Sequence, residues 1–297
     1  MDASTLVKWL GAAGVGVGLL ALGRAAFGRP QAAPGAPAPA GPPLPTLPPF
    51  RKGGPSMSFL DGIDVSKWQG YPGGTGMAAP PDWPRVKDQA SIDFVICKAV
   101  HGAAPDPSFA YNWPRTSIFM ARGAYCYGRF ADSPTKQAEA LVAACQNFGG
   151  LRPSGDLLAV DLEWGENEAF VLGTPKSPKK PQTEHCAWWI RSFVAQVIER
   201  TGRPCLIYTG PGFWSAMGSP DIPELGSFPL WTAQYTLAAK PDLFGPWKGK
   251  RWTMWQYQGD TGPARYDRHV PGINAAVDRN FFDGSPEDLK ALTEVRV

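Results

Sequence analysis

The chain has 297 residues of which 43% are apolar, enough to bury the core of one large domain or two small ones, and this excludes disorder throughout. Residues 1–52 carry Lys8, Arg24, Arg29, Arg51 and Lys52 against Asp2, a net of +4 where the whole chain carries +3, so the remaining body is at −1. A near-neutral body argues against a nucleic-acid groove, and its aromatic residues, eleven of the twelve tryptophans included, suit a large core or flat ligands such as sugar rings.

Residues 9–23, "WLGAAGVGVGLLALG", form an uncharged run of fifteen between Lys8 and Arg24. The run is shorter than the ~20 residues of a comfortable membrane span and is diluted by glycine. Its basic start and apolar middle fit a signal peptide, but no clean A-x-A site follows, which favours an uncleaved membrane anchor over residues 1–28. Nine prolines between Pro30 and Pro49 then predict an extended spacer over residues 29–57. The folded domain is expected over 58–297, with its scaffold starting near Phe59, so that removing residues up to 55 costs no core packing.

From Phe59 onward, short apolar runs alternate with helix-like stretches, the signature of βα units around a parallel sheet. The expected strands are "FLDGIDVS", "IDFVICKAV", "RGAYCYGRF", "DLLAVDLEW", "PCLIYTG", "PLWTAQY", "RWTMWQY" and "NAAVDRNFF". Eight strands suffice to close a barrel. "SPTKQAEALVAACQNF" predicts a helix capped by Ser133 with proline in its first turn, and "TEHCAWWIRSFVAQVIERTG" one stopped by Gly202. The later connections carry little helix signal, so the expected fold is a modified, TIM-like α/β barrel with eight strands and fewer than eight helices.

Active sites of such barrels lie at the C-terminal ends of the strands. Those ends present Asp64 and Ser66, then Lys98 and His101, then Tyr125 and Tyr127, then Asp161 and Glu163. They continue with Tyr208, Trp231 and Gln234, Trp255 and Gln256, and finally Asp278 with Asn280. A single strand-terminal aspartate often just caps the next turn. Acids at three separate ends, beside aromatic residues, point instead to a carboxylate site.

Asp161 and Glu163 are two apart on one strand and so face the same space. Glycoside hydrolysis needs one protonated carboxyl for the leaving oxygen and one ionised group for the charge developing on the sugar. With Asp161 charged and Trp164 lowering the local polarity, Glu163 is expected to keep its proton as the acid. Five cysteines lack C-x-x-C spacing, and no H-E-x-x-H or G-x-S-x-G is present, so neither a metal, a cofactor nor a nucleophilic cysteine or serine is expected. At most two disulfides could form, and most of the cysteines look buried.

"GIDVSKWQG", "RGAYCYGRF", "VDLEW", "PCLIYTG", "LWTAQY", "WTMWQYQ" and "VDRNFF" follow in order the pattern of the family-25 glycoside hydrolases, and residues 59–283 resemble that family as a set. These are bacterial and phage muramidases, lysozymes of the endolysin type, which cut the β-1,4 bond between N-acetylmuramic acid and N-acetylglucosamine. The resemblance implies Glu163 as general acid/base, Asp161 as the group that positions the acetamido group or its transition state, and Asp64 and Asp278 as completing the acidic cleft. It implies that Tyr127 or Tyr125 assists the acetamido group, and the substrate-binding set is expected to be Tyr125, Tyr127, Trp164, Tyr208, Trp231, Gln234, Trp255 and Gln256. Where relatives commonly read T-E-G and Y-H-F, this chain has "VHG" with His101 and "YCY" with Cys126. The expected partner is peptidoglycan at the cell envelope, reached by a monomeric domain tethered to the membrane. A chitinase-like enzyme is disfavoured because Leu158 and Ala159 stand where a further aspartate is usual, and a noncatalytic wall-binding module is disfavoured by the intact acids.

Overall fold

Alternation of inward and outward side chains builds a closed barrel from eight strands: β1 (Leu60–Val65), β2 (Phe94–His101), β3 (Ala121–Tyr127), β4 (Asp156–Leu162), β5 (Cys205–Thr209), β6 (Leu230–Ala233), β7 (Met254–Gln258) and β8 (Asp278–Phe282). The computed structural model describes residues 40–47, 59–174, 177–178, 182–260 and 267–297, and Ala38–Val297 forms one unit. The apolar run 9–23 and the start of the proline-rich stretch lie outside the described residues. Among the described residues no helix is long and apolar enough to cross a membrane.

Each strand from β1 to β7 pairs in parallel with the next. Strand β8 closes the ring antiparallel to both β7 and β1. The reversal removes the need for a helical crossover, which only parallel neighbours require. Its consequence is that β8 brings its first residue, and not its last, to the end of the barrel where β1 to β7 finish.

Seven α-helices are described: α1 (Trp83–Gln89), α2 (Phe109–Arg115), α3 (Pro134–Asn147), α4 (Glu168–Val171), α5 (Thr183–Thr201), α6 (Pro211–Ala216) and α7 (Pro286–Glu294). Ser133 caps α3 by accepting from the Lys136 amide, and Gly202 ends α5 in the left-handed region at φ 63°. The β6–β7 connection, residues 234–253, carries no α-helix, only a 3-10 turn, Gly245–Trp247.

Outward-facing residues of the strands meet the helices in the main core, which includes Trp83, Trp113, Trp189 and Phe193. Inward-facing residues fill the barrel: Leu60, Phe94, Ile96, Leu157, Ala159, Leu206, Met254 and Phe282, with Leu289 and Leu292 of α7 packed against them. Gly62 is required there, because a Cβ on it would lie 2.3 Å from the Phe94 ring. All five cysteines are buried free thiols, so no disulfide forms.

Part of the expected spacer is packed. Leu44 and Leu47 are buried in the main core, and the Leu47 amide donates to Ser227 Oγ at 3.1 Å, just before β6. The expectation that removal up to residue 55 costs no packing is therefore corrected: two leucines of residues 40–47 anchor the chain to the barrel.

Candidate active site

Inward positions at the barrel mouth carry the polar residues, because the layers below are filled and only this end opens to solvent. A cavity of about 520 Å³ opens there, walled by Asp64 of β1, Lys98 of β2, Tyr125 of β3, Asp161 of β4 and Glu163 just beyond it. Tyr208, Trp231, Tyr235, Gln256 and Asp278 complete the wall, with Trp68, Gln69, Asp260 and Arg268 on the connecting loops. The four expected acids are thus brought together. Asp278 stands at the start of β8, directly across from Asp64 in the antiparallel register.

Four carboxyls lining one cavity disfavour one another's charged forms. Asp161 is pushed well above the usual carboxylate range, first by burial and then by the charge of Glu163, with Lys98 opposing. Glu163 is raised, again chiefly by burial, and Lys98 also opposes it. The two carboxyls face each other closely enough to share a proton. Burial raises both members and not Glu163 alone, and the deeper of the two is Asp161, 4% exposed. Asp161 Oδ1 is buried and has no hydrogen-bond partner among the described residues.

Asp64 is also raised by burial, opposed by two amide donors on its Oδ2, Gln256 Nε2 at 2.9 Å and Asn280 Nδ2 at 2.8 Å. Asp278 is pushed up to about 8, first by burial and then by the charge of Asp64, while Arg268, 2.8 Å away, pulls it down. Arg268 also holds Asp260 at 2.7 Å and donates through Nε to the Val277 carbonyl at 3.0 Å.

Several expected substrate contacts are placed elsewhere. The Tyr127 hydroxyl donates to the Trp164 carbonyl and accepts from the Glu166 amide at 3.2 Å, so it pins the loop after β4 and does not line the cavity. Trp255 points outward, packs with Trp252 and Tyr257, and donates to the Gln234 carbonyl at 2.8 Å. Gln234 bonds the Asp242 backbone through both ends of its amide. Trp164 is half-exposed and lies edge-on to Phe213 at 5.1 Å, outside the cavity wall. Because neighbours on a strand face opposite ways, the pairs Trp255/Gln256 and Trp231/Thr232 each offer one residue to the cavity.

Beyond the strand-end residues, the wall takes Trp68, Gln69, Tyr235, Asp260, Arg268 and Ala276, which the expected substrate-binding set leaves out. All lie on loops past strand ends, where alternation gives no signal. Trp68, 64% exposed, is the most accessible aromatic of the wall. His101, the first departure from the family pattern, stacks on Tyr127 at 4.3 Å, and its Nε2 lies 3.2 Å from Glu166. Cys126, the second, is fully buried on the outer face of β3.

A closed β/α barrel that opens on four clustered carboxyls between aromatic walls defines a glycoside hydrolase. Residues 63–263 match the family described as Glycosyl hydrolases family 25, and the chain belongs to that family. Lysozyme M1 of Streptomyces globisporus is 31% identical over 240 residues, which cover 79% of this chain and 71% of that protein. N,O-diacetylmuramidase of a Chalaropsis species is 26% identical over 219 residues, 68% of this chain and 89% of that protein. Among solved structures, a bacterial lysozyme from Streptomyces coelicolor superposes with a TM-score of 0.63 at 30% identity, covering 80% of this chain and 99% of its own. A muramidase from Acremonium alcalophilum superposes at 0.60 with 25% identity, covering 79% of this chain and 99% of its own.

Proposed function

We propose that this chain is a peptidoglycan muramidase in which Glu163 and Asp161 do the acid chemistry of cleaving the bond between N-acetylmuramic acid and N-acetylglucosamine. The observation that carries the assignment is the orphaned, buried Oδ1 of Asp161 beside Glu163. A buried acceptor without a partner is costly and suits a donor brought by the substrate. The N–H of a sugar acetamido group is such a donor. Its arrival would satisfy Asp161 as a carboxylate and leave the pair's proton on Glu163, the less buried member, which faces the leaving oxygen. Asp64 supplies the negative field that favours positive charge on the sugar carbon, and Asp278 completes the acidic cleft beside it. Tyr125 lines the cavity and would assist the acetamido group, and Trp68 would offer a flat face for a ring.

Digestion of purified peptidoglycan tests this reading. Turbidity should fall, and new reducing ends should appear on muramic acid. New reducing ends on glucosamine would make the enzyme a glucosaminidase, and free peptides would make it an amidase.

The proposed place of action is the cell envelope. There the apolar run 9–23 serves as the anchor, the proline-rich stretch that follows serves as the tether, and one copy of the domain works alone. Full-length protein should then fractionate with membranes. Soluble protein with its N-terminus intact would rule out an anchor, and soluble protein shortened by some thirty residues would make the run a cleaved signal peptide.

A further inference from the structure

Three residues expected to touch sugar, Tyr208, Trp231 and Gln256, spend their polar atoms on one another, on Asn280 and on Asp64. The Tyr208 and Tyr235 hydroxyls both donate to Gln256 Oε1, at 2.8 and 2.7 Å. Trp231 Nε1 donates to Asn280 Oδ1 at 2.8 Å. An indole N–H can only donate, so Asn280 must present its oxygen to Trp231 and its amide nitrogen to Asp64. Two phenols on Gln256 Oε1 orient the second amide the same way. Both amide nitrogens then converge on the single oxygen Oδ2 of Asp64, within a network drawn from β1, β5, β6, β7 and β8 that is buried except at Tyr235, just past β6.

We propose that Gln256 and Asn280, oriented from behind by Tyr208, Tyr235 and Trp231, are positioning residues that hold Asp64 as an anion and leave only its Oδ1 to face the substrate. With two donors aimed at it, Oδ2 has no room for a proton, so protonation of Asp64 would have to occur on Oδ1 or break the cradle. Burial works against the anion, and the two amides are the largest forces opposing burial. Other charged or titratable groups face Asp64 from every side: Asp278 of β8, Asp161 of β4 and Glu163 just past it, Lys98 of β2, Tyr125 of β3, and Arg268 and Asp260 from the β7–β8 connection. An ionised Asp64 raises Asp161, Glu163 and Asp278 alike. The cradle thereby keeps a proton on the Asp161/Glu163 pair by keeping Asp64 charged. The inference rests on the muramidase reading only in counting Asp64 among the reacting carboxyls.

The test pairs a double-mutant cycle with a titration. Tyr208→Phe and Tyr235→Phe each leave one phenol on Gln256, so each should lower kcat by less than about threefold, while the double variant should lose about tenfold more than their product. Asn280→Leu, or Trp231→Phe if that variant does not fold, should lower kcat with KM held within about twofold. Losing a donor to the anion raises the Asp64 pKa, so the acid limb of the kcat profile should move up by about one pH unit. The 13C shift of the Asp64 carboxyl, assigned with Asp64→Asn, should move by the same amount without any turnover. Additive tyrosine effects with a raised KM would make these residues substrate contacts and overturn the proposal. An unmoved 13C titration would overturn it as well. Failure of the wild-type enzyme to cut peptidoglycan would remove the muramidase reading and leave the titration to decide the cradle by itself.

Discussion

Asp64 and Asp278 face each other across the antiparallel pair β1–β8, each the mouth-side residue of its own strand. That opposition exists because β8 runs against its neighbours, and it places two carboxyls side by side with Arg268 bonded to one of them. Folding therefore forces together acids that an unfolded chain would keep apart.

Stability should fall as pH rises through neutrality. Asp278 loses its proton near about 3.9 in an unfolded chain and at about 8 in the folded protein. Between those values the folded state binds the extra proton, so its contribution is fully present below the lower pKa and is lost as pH climbs through the upper one. Asp64, Asp161 and Glu163, all raised, add to the same slope. The melting temperature should decline from pH 5 to pH 8, and Asp278→Asn should flatten that decline. A melting temperature that rises over this window would contradict the burial argument.

Glu163→Gln should leave the fold and sugar binding in place and lower kcat by about 10²–10⁴-fold, the range of general acid catalysis, because the amide keeps the shape but has no proton to give. Asp161→Asn and Asp64→Asn should each reduce turnover strongly, and Asp278→Asn less. Clearing of isolated cell walls by Glu163→Gln at close to the wild-type rate would reassign the acid.

Tyr127→Phe should act on the loop and not on the substrate. Its hydroxyl joins the Trp164 carbonyl to the Glu166 amide, immediately after Glu163. Removing it leaves a carbonyl and an amide short of a partner, a loss of about 1–3 kcal/mol in stability. Chemical denaturation should report that loss, with kcat reduced and KM unchanged. A selective rise in KM would return Tyr127 to the substrate.

Residues 40–47 should contribute measurably to the domain. Leu44→Ala and Leu47→Ala each empty a buried site, at a cost of about 2 kcal/mol or more. A chain starting at residue 56 lacks both leucines and should melt about 8–16 °C below one starting at residue 38. Equal melting temperatures would show that these leucines add nothing.

Much of this protein is local and was legible as such. Strand alternation, the capped helix at Ser133, the glycine stop at Gly202 and the D-x-E pair each depend on residues a few positions apart, so periodicity and side-chain chemistry suffice to find them. The barrel closes as that alternation requires, and Asp161 and Glu163 share a face because two residues of strand return the side chain to the same side. What alternation does not encode is which distant partner each inward residue meets. Gln256 and Asn280 reach Asp64 across 192 and 216 residues of chain. Tyr127 and Gln234 turn to backbone, Trp255 faces outward, and β8 reverses. Leu44 and Leu47 leave a proline-rich stretch to fill grooves on the barrel. Those outcomes were decided when the ring of strands closed, because a buried polar atom takes whichever partner the packed structure brings within hydrogen-bond reach, and an apolar side chain takes whichever groove remains unfilled.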